Sequence, residues 1–257
     1  RSKKHKFLLQ YFIIVFSGAD MPIYRIADLN VEVNPKFKIC RKRLESYAVK
    51  SNESGKTDIA ISVSDDEIRE RLRLSDNLSE QGAEDVLILS KFCNAVLDGF
   101  DGFFFHSSCL ELDGEGYVFS AGSGTGKATH TALWRRHFGN RVTMINDDKP
   151  VIRKCDGKFY AYGTPWMGKA DIGTNTKAPV KAVYILQRAE ENTAVRVLPS
   201  HVMKQLLEAT VIDVERSRME KLLELLDEFF KETPLFLFGC NMDESAVMTA
   251  YNAASGG

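Results

Sequence analysis

The stretch YVFSAGSGTGKATHTALW, from Tyr117 to Trp134, sets three glycines at alternate positions ahead of a lysine. Glycine lets the backbone curl so that successive N–H groups point at one anion. A helix beginning at Lys127 would add the positive end of its dipole. The lysine then supplies a point charge for the terminal phosphates of a nucleotide. The full pattern for such a loop is G-x-x-x-x-G-K-[ST], set between a strand and a helix. The candidate phosphate-contacting residues are therefore Gly122, Ser123, Gly124, Thr125, Gly126, Lys127, Ala128 and Thr129. Two positions depart from the pattern: Ala121 stands where the first glycine belongs, and Ala128 where a metal-binding hydroxyl belongs. The plainer reading is a glycine-rich turn with a surface lysine. The order strand, loop, lysine, helix favours the phosphate site.

A second constellation is acidic. Asp147 and Asp148 end the apolar run RVTMIND, twenty residues beyond Lys127. Adjacent carboxylates at a strand end project to different sides, so one can face magnesium while the other meets a nucleophile. The same NDDKP is also good turn chemistry, and it is the pairing with the glycine loop that favours a site. A third candidate is YGTPWMGKADIGTN, residues 162–175, an irregular segment of the kind on which binding residues concentrate. Lys169 and Trp166 are its candidate substrate contacts, the lysine for a phosphate or an acidic group. Against that stands an ordinary loop with Trp166 packed beneath it.

These residues need elements to hold them. From Met21 to about Val63 the pattern is of short strands, YRIADLNVEV and DIAISV, separated by the polar KSNESGKT. SDDEIRERLRL opens on an N-cap candidate, Ser64, and reads as a short helix. In the next segment Val86, Leu89, Phe92, Cys93, Val96 and Leu97 form an apolar stripe at helical spacing. GFFFHSSCLEL and GYVFSA read as two strands joined at Asp113–Gly114, a strong hairpin signal. A helix through THTALWRRHFG should stop at Gly139, and PVIRKCDGKFYAYGTP should be a second hairpin, turning at Asp156–Gly157. VKAVYILQRA reads as a buried strand. HVMKQLLEATVI and RSRMEKLLELLDEFF read as helices, the second with an apolar face of Leu222, Leu225, Leu226 and Phe229. The strand PLFLFGC and a final helix after Asn241 close the chain. Hairpins mixed with helices give an α/β fold with a mixed β-sheet flanked by helices.

Composition narrows the partners. The 257 residues carry a net charge of −1, with 44% hydrophobic and 27% charged residues, ordinary for a soluble globular chain. Without a broad basic surface, nucleic acid is not an expected partner. Five scattered cysteines, with no CxxC pair, fit reduced thiols and a cytoplasmic location. The opening SKKHKFLLQYFIIVFSGAD resembles a secretory signal, but its apolar run falls short of the about 20 residues a membrane helix needs. No membrane partner is expected. MPIYRIADLNVEV reads as a natural start, so residues 1–20 are taken as a leader or non-native extension. Residues 21–100 then form an N-terminal strand and helix portion, and residues 101–257 the nucleotide-binding portion.

The residues HSSCLELDGEGYVFSAGSGTGKAT and INDDKPVIR together resemble the catalytic domain of HPr kinase/phosphorylase and its stand-alone relatives. The resemblance runs from about Phe103 to Gly163 and more loosely to the C-terminus. It implies a P-loop fold related to the phosphoenolpyruvate carboxykinase type. It also implies an ATP- and Mg2+-dependent kinase that moves a γ-phosphoryl group to a hydroxyl. Lys127 would bind phosphate, His106 would line the phosphate site, Asp148 would be the base, and Asp147 would hold the metal. Without the resemblance, a single histidine among aromatics reads as packed or superficial. The implied acceptor is the serine of a protein or peptide, or a small molecule; a homo-oligomer is also allowed. Ala128, and the lack of a clear counterpart to the family's second metal-binding glutamate, leave two rivals open. One is a nucleotide-binding regulatory module without turnover; the other is a carboxykinase-like enzyme acting on a small carboxylate.

Overall fold

The structure, a computed structural model, describes residues 21–50, 55–122, 124–210 and 216–256. The expected leader at 1–20 and the loop residue Ser123 lie outside the described residues.

The chain begins with β1 (Ile23–Ile26) and β2 (Leu29–Val33), an antiparallel pair that β3 (Ile59–Ile61) extends in parallel into a three-stranded sheet. Short strands were expected here, but the sequence also holds a helix, α1 (Lys38–Leu44). Its pattern was too brief to read: Cys40 and Leu44 are its two buried residues, one turn apart. Next come α2 (Asp65–Arg73) and α3 (Glu80–Gly99). Ser64 does cap α2, with a full capping box closed by Glu67.

The second sheet has nine strands. Its path runs β4 (Gly102–Phe104), β8 (Val151–Cys155), β9 (Lys158–Tyr162), β10 (Lys177–Arg188), β6 (Glu115–Ser120), β5 (Ser108–Leu112), β7 (Val142–Asn146). β12 (Leu235–Cys240) also joins β10, and β11 (Thr193–Arg196) lies beyond β12. β10 links the two halves: its first residues pair antiparallel with β9, and its remainder runs parallel to β6 and β12. The expected hairpins form at Asp113–Gly114 and Asp156–Gly157, with positive φ at all four residues, as type I′ turns demand.

Two corrections concern this sheet. GFFFHSSCLEL is not one strand: β4 pairs with β8, β5 pairs with β6 and β7, and Phe105–Ser107 form the crossing. β11 had no counterpart in the sequence reading, and three of its four residues are exposed or half-exposed polar or small groups that give little alternation.

Side chains of β10 sort by the two-residue period of a strand. Val183 and Ile185 face one core with Leu206 of α5 (Met203–Thr210) and Leu222, Leu225, Leu226 and Phe229 of α6 (Arg216–Glu232). Ala182, Tyr184 and Leu186 face the other, against Trp134 of α4 (Lys127–Phe138) and Val247 and Ala250 of α7 (Ser245–Ala254). A third core joins the small sheet to the large one through Phe92, Phe104, Val151, Tyr162 and Trp166. The parallel strands β6, β10 and β12 thus sit between two helical layers. Their carboxyl ends form one edge, where open α/β sheets place their ligands.

Candidate active site

The glycine loop leaves that edge from the end of β6 and enters α4. Gly124 and Gly126 have φ values of +74° and +119°, and an added Cβ at either would meet nothing within 4 Å. The positive φ explains why glycine stands at both positions. Gly126 caps α4 without any side-chain hydrogen bond, so the first-turn N–H groups of Lys127, Ala128 and Thr129 face outward unsupplied by a cap. Arg188, at the end of β10, donates to the carbonyl of Gly124 at 2.7 Å and holds that carbonyl out of the cradle. Lys127 folds back so that its Nζ donates to the Ala121 carbonyl at 2.8 Å. Burial lowers the pKa of its ammonium; Asp148 opposes that shift and Lys149 adds to it.

The acid pair lies next to the loop and splits as its strand-end position predicts. Asp147 Oδ1 accepts from the Gly168 N–H at 2.6 Å. Asp148 meets His106 Nε2 at 3.0 Å and the Lys149 ammonium on its other oxygen. Burial alone would raise the Asp148 carboxyl, but the His106 and Lys149 hydrogen bonds, with their charges, outweigh it. The result lies well below the usual carboxylate range.

What fixes this pair is a set of residues that sequence reasoning missed. Asn146 is fully buried; its Oδ1 accepts from the N–H groups of Asp148 and Lys149 at 2.8 and 2.6 Å. Its amide nitrogen donates to the Thr164 carbonyl at 2.9 Å, and the Thr164 hydroxyl donates to the Lys149 carbonyl at 2.6 Å. Ser108 Oγ donates to the Asp147 carbonyl at 2.7 Å, and the Ser107 N–H to the Asp148 carbonyl at 3.1 Å. The chain break that carries His106 is therefore pinned to the acid pair on both sides. The signal was present in Asn146, an amide at the end of an apolar strand, where burial demands partners.

The 162–175 segment divides. Trp166 is 2% exposed, stacks on Phe92 at 5.5 Å, and donates through Nε1 to Asp85 at 3.2 Å. Its expected role as a substrate contact is corrected: the ring is core, filled from the α3 side. Lys169 is exposed, one residue beyond the Gly168 that holds Asp147. Ala128 and Thr129 are exposed on the first turn of α4. His130, one residue further, is core: it packs on Phe119 and Phe238 and accepts from Trp134 Nε1 at 2.9 Å.

The fold and the site define a mixed α/β protein with a glycine-rich loop beside a pair of adjacent carboxylates. No family model and no curated protein matches the chain. Solved structures do match, among them the HPr(Ser) kinase/phosphatase from Coxiella burnetii. That match has 13% identity and a TM-score of 0.35, over 60% of this chain and 99% of that one.

Proposed function

We propose that the protein is an ATP-dependent kinase that transfers a γ-phosphoryl group to a hydroxyl. The observation that carries this reading is the convergence of Lys127, the uncapped first turn of α4 and the His106–Asp148 pair on one edge of the sheet. The residue pattern shared with HPr kinase-like catalytic domains supports it.

The chain's residues fit a nucleotide's phosphates. Outward N–H groups, an open glycine cradle and a half-buried lysine are a donor set for anions. They fit a magnesium ion less fully. No cluster of three or more His, Cys, Asp or Glu side chains able to hold a metal occurs among the described residues. Magnesium characteristically takes one or two carboxylates and completes its shell with phosphate and water. Asp147 is the residue that would hold it, and the ion when bound would neutralise charge on the phosphates.

Each side chain then has a task. Lys127 and the loop N–H groups bind and orient the phosphates. Arg188 keeps the Gly124 carbonyl from opposing them. Asp148, ionised and aimed by His106, accepts the proton of the acceptor hydroxyl. Phosphoryl transfer asks mainly for positioning and charge neutralisation, which this arrangement supplies.

The expected signature is a split between binding and turnover. Asp148→Asn keeps ATP affinity within a few-fold and lowers ADP formation by about 10²–10⁴-fold. If Asp147→Asn abolishes turnover and Asp148→Asn does not, the two roles are reversed. Ala128 favours a second reading, a nucleotide-binding regulatory module. ATP binding with no ADP formation under any condition would select it.

A further inference from the structure

The wall opposite the glycine loop is not accounted for by phosphate binding. A cavity of about 260 Å³ lies between the loop, the end of β10 and α5. Its apolar lining on the α5 side includes Ile185 and Ala209. Its polar lining is Gln187 from β10, Ser120 from β6, Gln205 and Glu208 from α5, and His106.

Position assigns the cavity to one end of the loop. Lys127 places its ammonium at the Ala121 carbonyl, 2.8 Å away, and a loop lysine of this kind meets the terminal phosphates. Ala121 and Gly122 line the cavity, so it borders the terminal-phosphate end. His106 lines it too, and the same imidazole holds Asp148 at 3.0 Å. Asp148 does not itself line the cavity, so a hydroxyl presented there would reach the base past the His106 imidazole.

Size and charge narrow the occupant. Pockets for drug-sized ligands run from about 300 to 1,000 Å³, so this one, just below that range, suits a small molecule. Glu208 is the one Asp or Glu in the lining; its side chain is exposed and lies 3.8 Å from the Lys204 ammonium one turn earlier on α5, and no Lys or Arg lines the cavity itself. Arg188, next along β10, is turned onto the Gly124 carbonyl. α5 brings its C-terminal end to the same place, where the Ala209 carbonyl accepts from the His106 N–H at 2.7 Å. The negative end of a helix favours a cation.

We propose that this cavity is the acceptor pocket and that it takes a small amino alcohol, its ammonium group toward Glu208 and its hydroxyl toward Asp148. This rests on the kinase reading above. In the step, the acceptor oxygen forms a bond to the γ-phosphorus as the bond from that phosphorus to the β–γ bridging oxygen breaks. The bridging electron pair leaves with ADP, and the hydroxyl proton passes to Asp148.

The test presents the full chain with ethanolamine, serinol, glycerol and glycerate, and reads bound members by saturation-transfer NMR, without ATP and again with it. The amino alcohols are expected to bind more tightly than glycerol, and glycerate not at all. Gln205→Trp, which fills the cavity from an exposed helix position, should abolish the signal. Glu208→Lys should reverse the preference toward glycerate. Calorimetry with ATP on Gln205→Trp should show affinity within about twofold of the parent, so the loop and the cavity are read separately. Absence of amino-alcohol binding, a preference for glycerate in the parent, or signals unchanged in Gln205→Trp would overturn the proposal. So would phosphorylation of a serine peptide that Gln205→Trp leaves intact. A parent that fails to bind ATP yet binds serinol in this cavity overturns the kinase reading and the acceptor assignment built on it, leaving only a cation pocket.

Discussion

Ala128 stands where the proposed phosphate loop calls for a hydroxyl. Around it, Gly124 and Gly126 have open space beside them, and α4 starts at Lys127 with no side-chain cap. Alanine is also a good helix former, so it does not distort the first turn. Thr129 cannot replace the hydroxyl, because one residue further turns a side chain about 100° around the helix. Ala128→Ser should therefore tighten magnesium-dependent ATP binding and raise ADP formation together, measured by calorimetry and a coupled assay. A second residue gives a pH signature. Burial pushes the His130 imidazole down to about 4, from an ordinary 6.5. Between those values the unfolded chain binds a proton that the native chain does not, so stability must fall as pH falls. The loss from this residue should be about 2–4 kcal/mol between pH 7 and pH 4. Urea midpoints across that range should flatten in His130→Gln, which cannot take up the proton.

At the scale of elements, periodicity and turn chemistry made most of the framework legible. The Ser64 N-cap, the Asp-Gly hairpins and the apolar stripes of α3 and α6 each follow from local rules, and each forms where expected. The break at Phe105–Ser107 was not legible. Its cause is tertiary: the chain leaves the strand that pairs with β8 and joins the one that pairs with β6, and Ser107 and Ser108 fasten it to the acid pair. In the site, the glycines, Lys127 and the acid pair could be read from spacing, because backbone curvature and charge fix those residue types. Thr164 and Arg188 could not, because their partners are backbone atoms brought from other elements, and Asn146 showed only its residue type at a strand end. For Trp166 the sequence left two readings open, a substrate contact or a ring packed beneath its segment, and its burial against Phe92 gives the second. Trp166→Ala should cost about 3–5 kcal/mol in chemical denaturation. A surface contact would instead leave stability unchanged and alter only the concentration dependence of turnover.

At the scale of the molecule, one architecture serves both halves of the proposed chemistry. Phe92 and Trp166 tie the small N-terminal sheet to the segment that follows the acid pair, within a single core. The two helical layers on β10 leave one strand edge open, and the loop, the acid pair and the α5 cavity all gather there. Among the described residues no helix is long and apolar enough to cross a membrane. The central claim is that this edge is a nucleotide site run by Lys127. Titration calorimetry with ATP and magnesium, on the parent chain and on Lys127→Ala, tests it most directly. Loss of a charge-assisted contact to phosphate should weaken binding by about 2–3 kcal/mol, with the fold intact by circular dichroism. Equal ATP affinity in the two proteins, or none in the parent, would contradict the account.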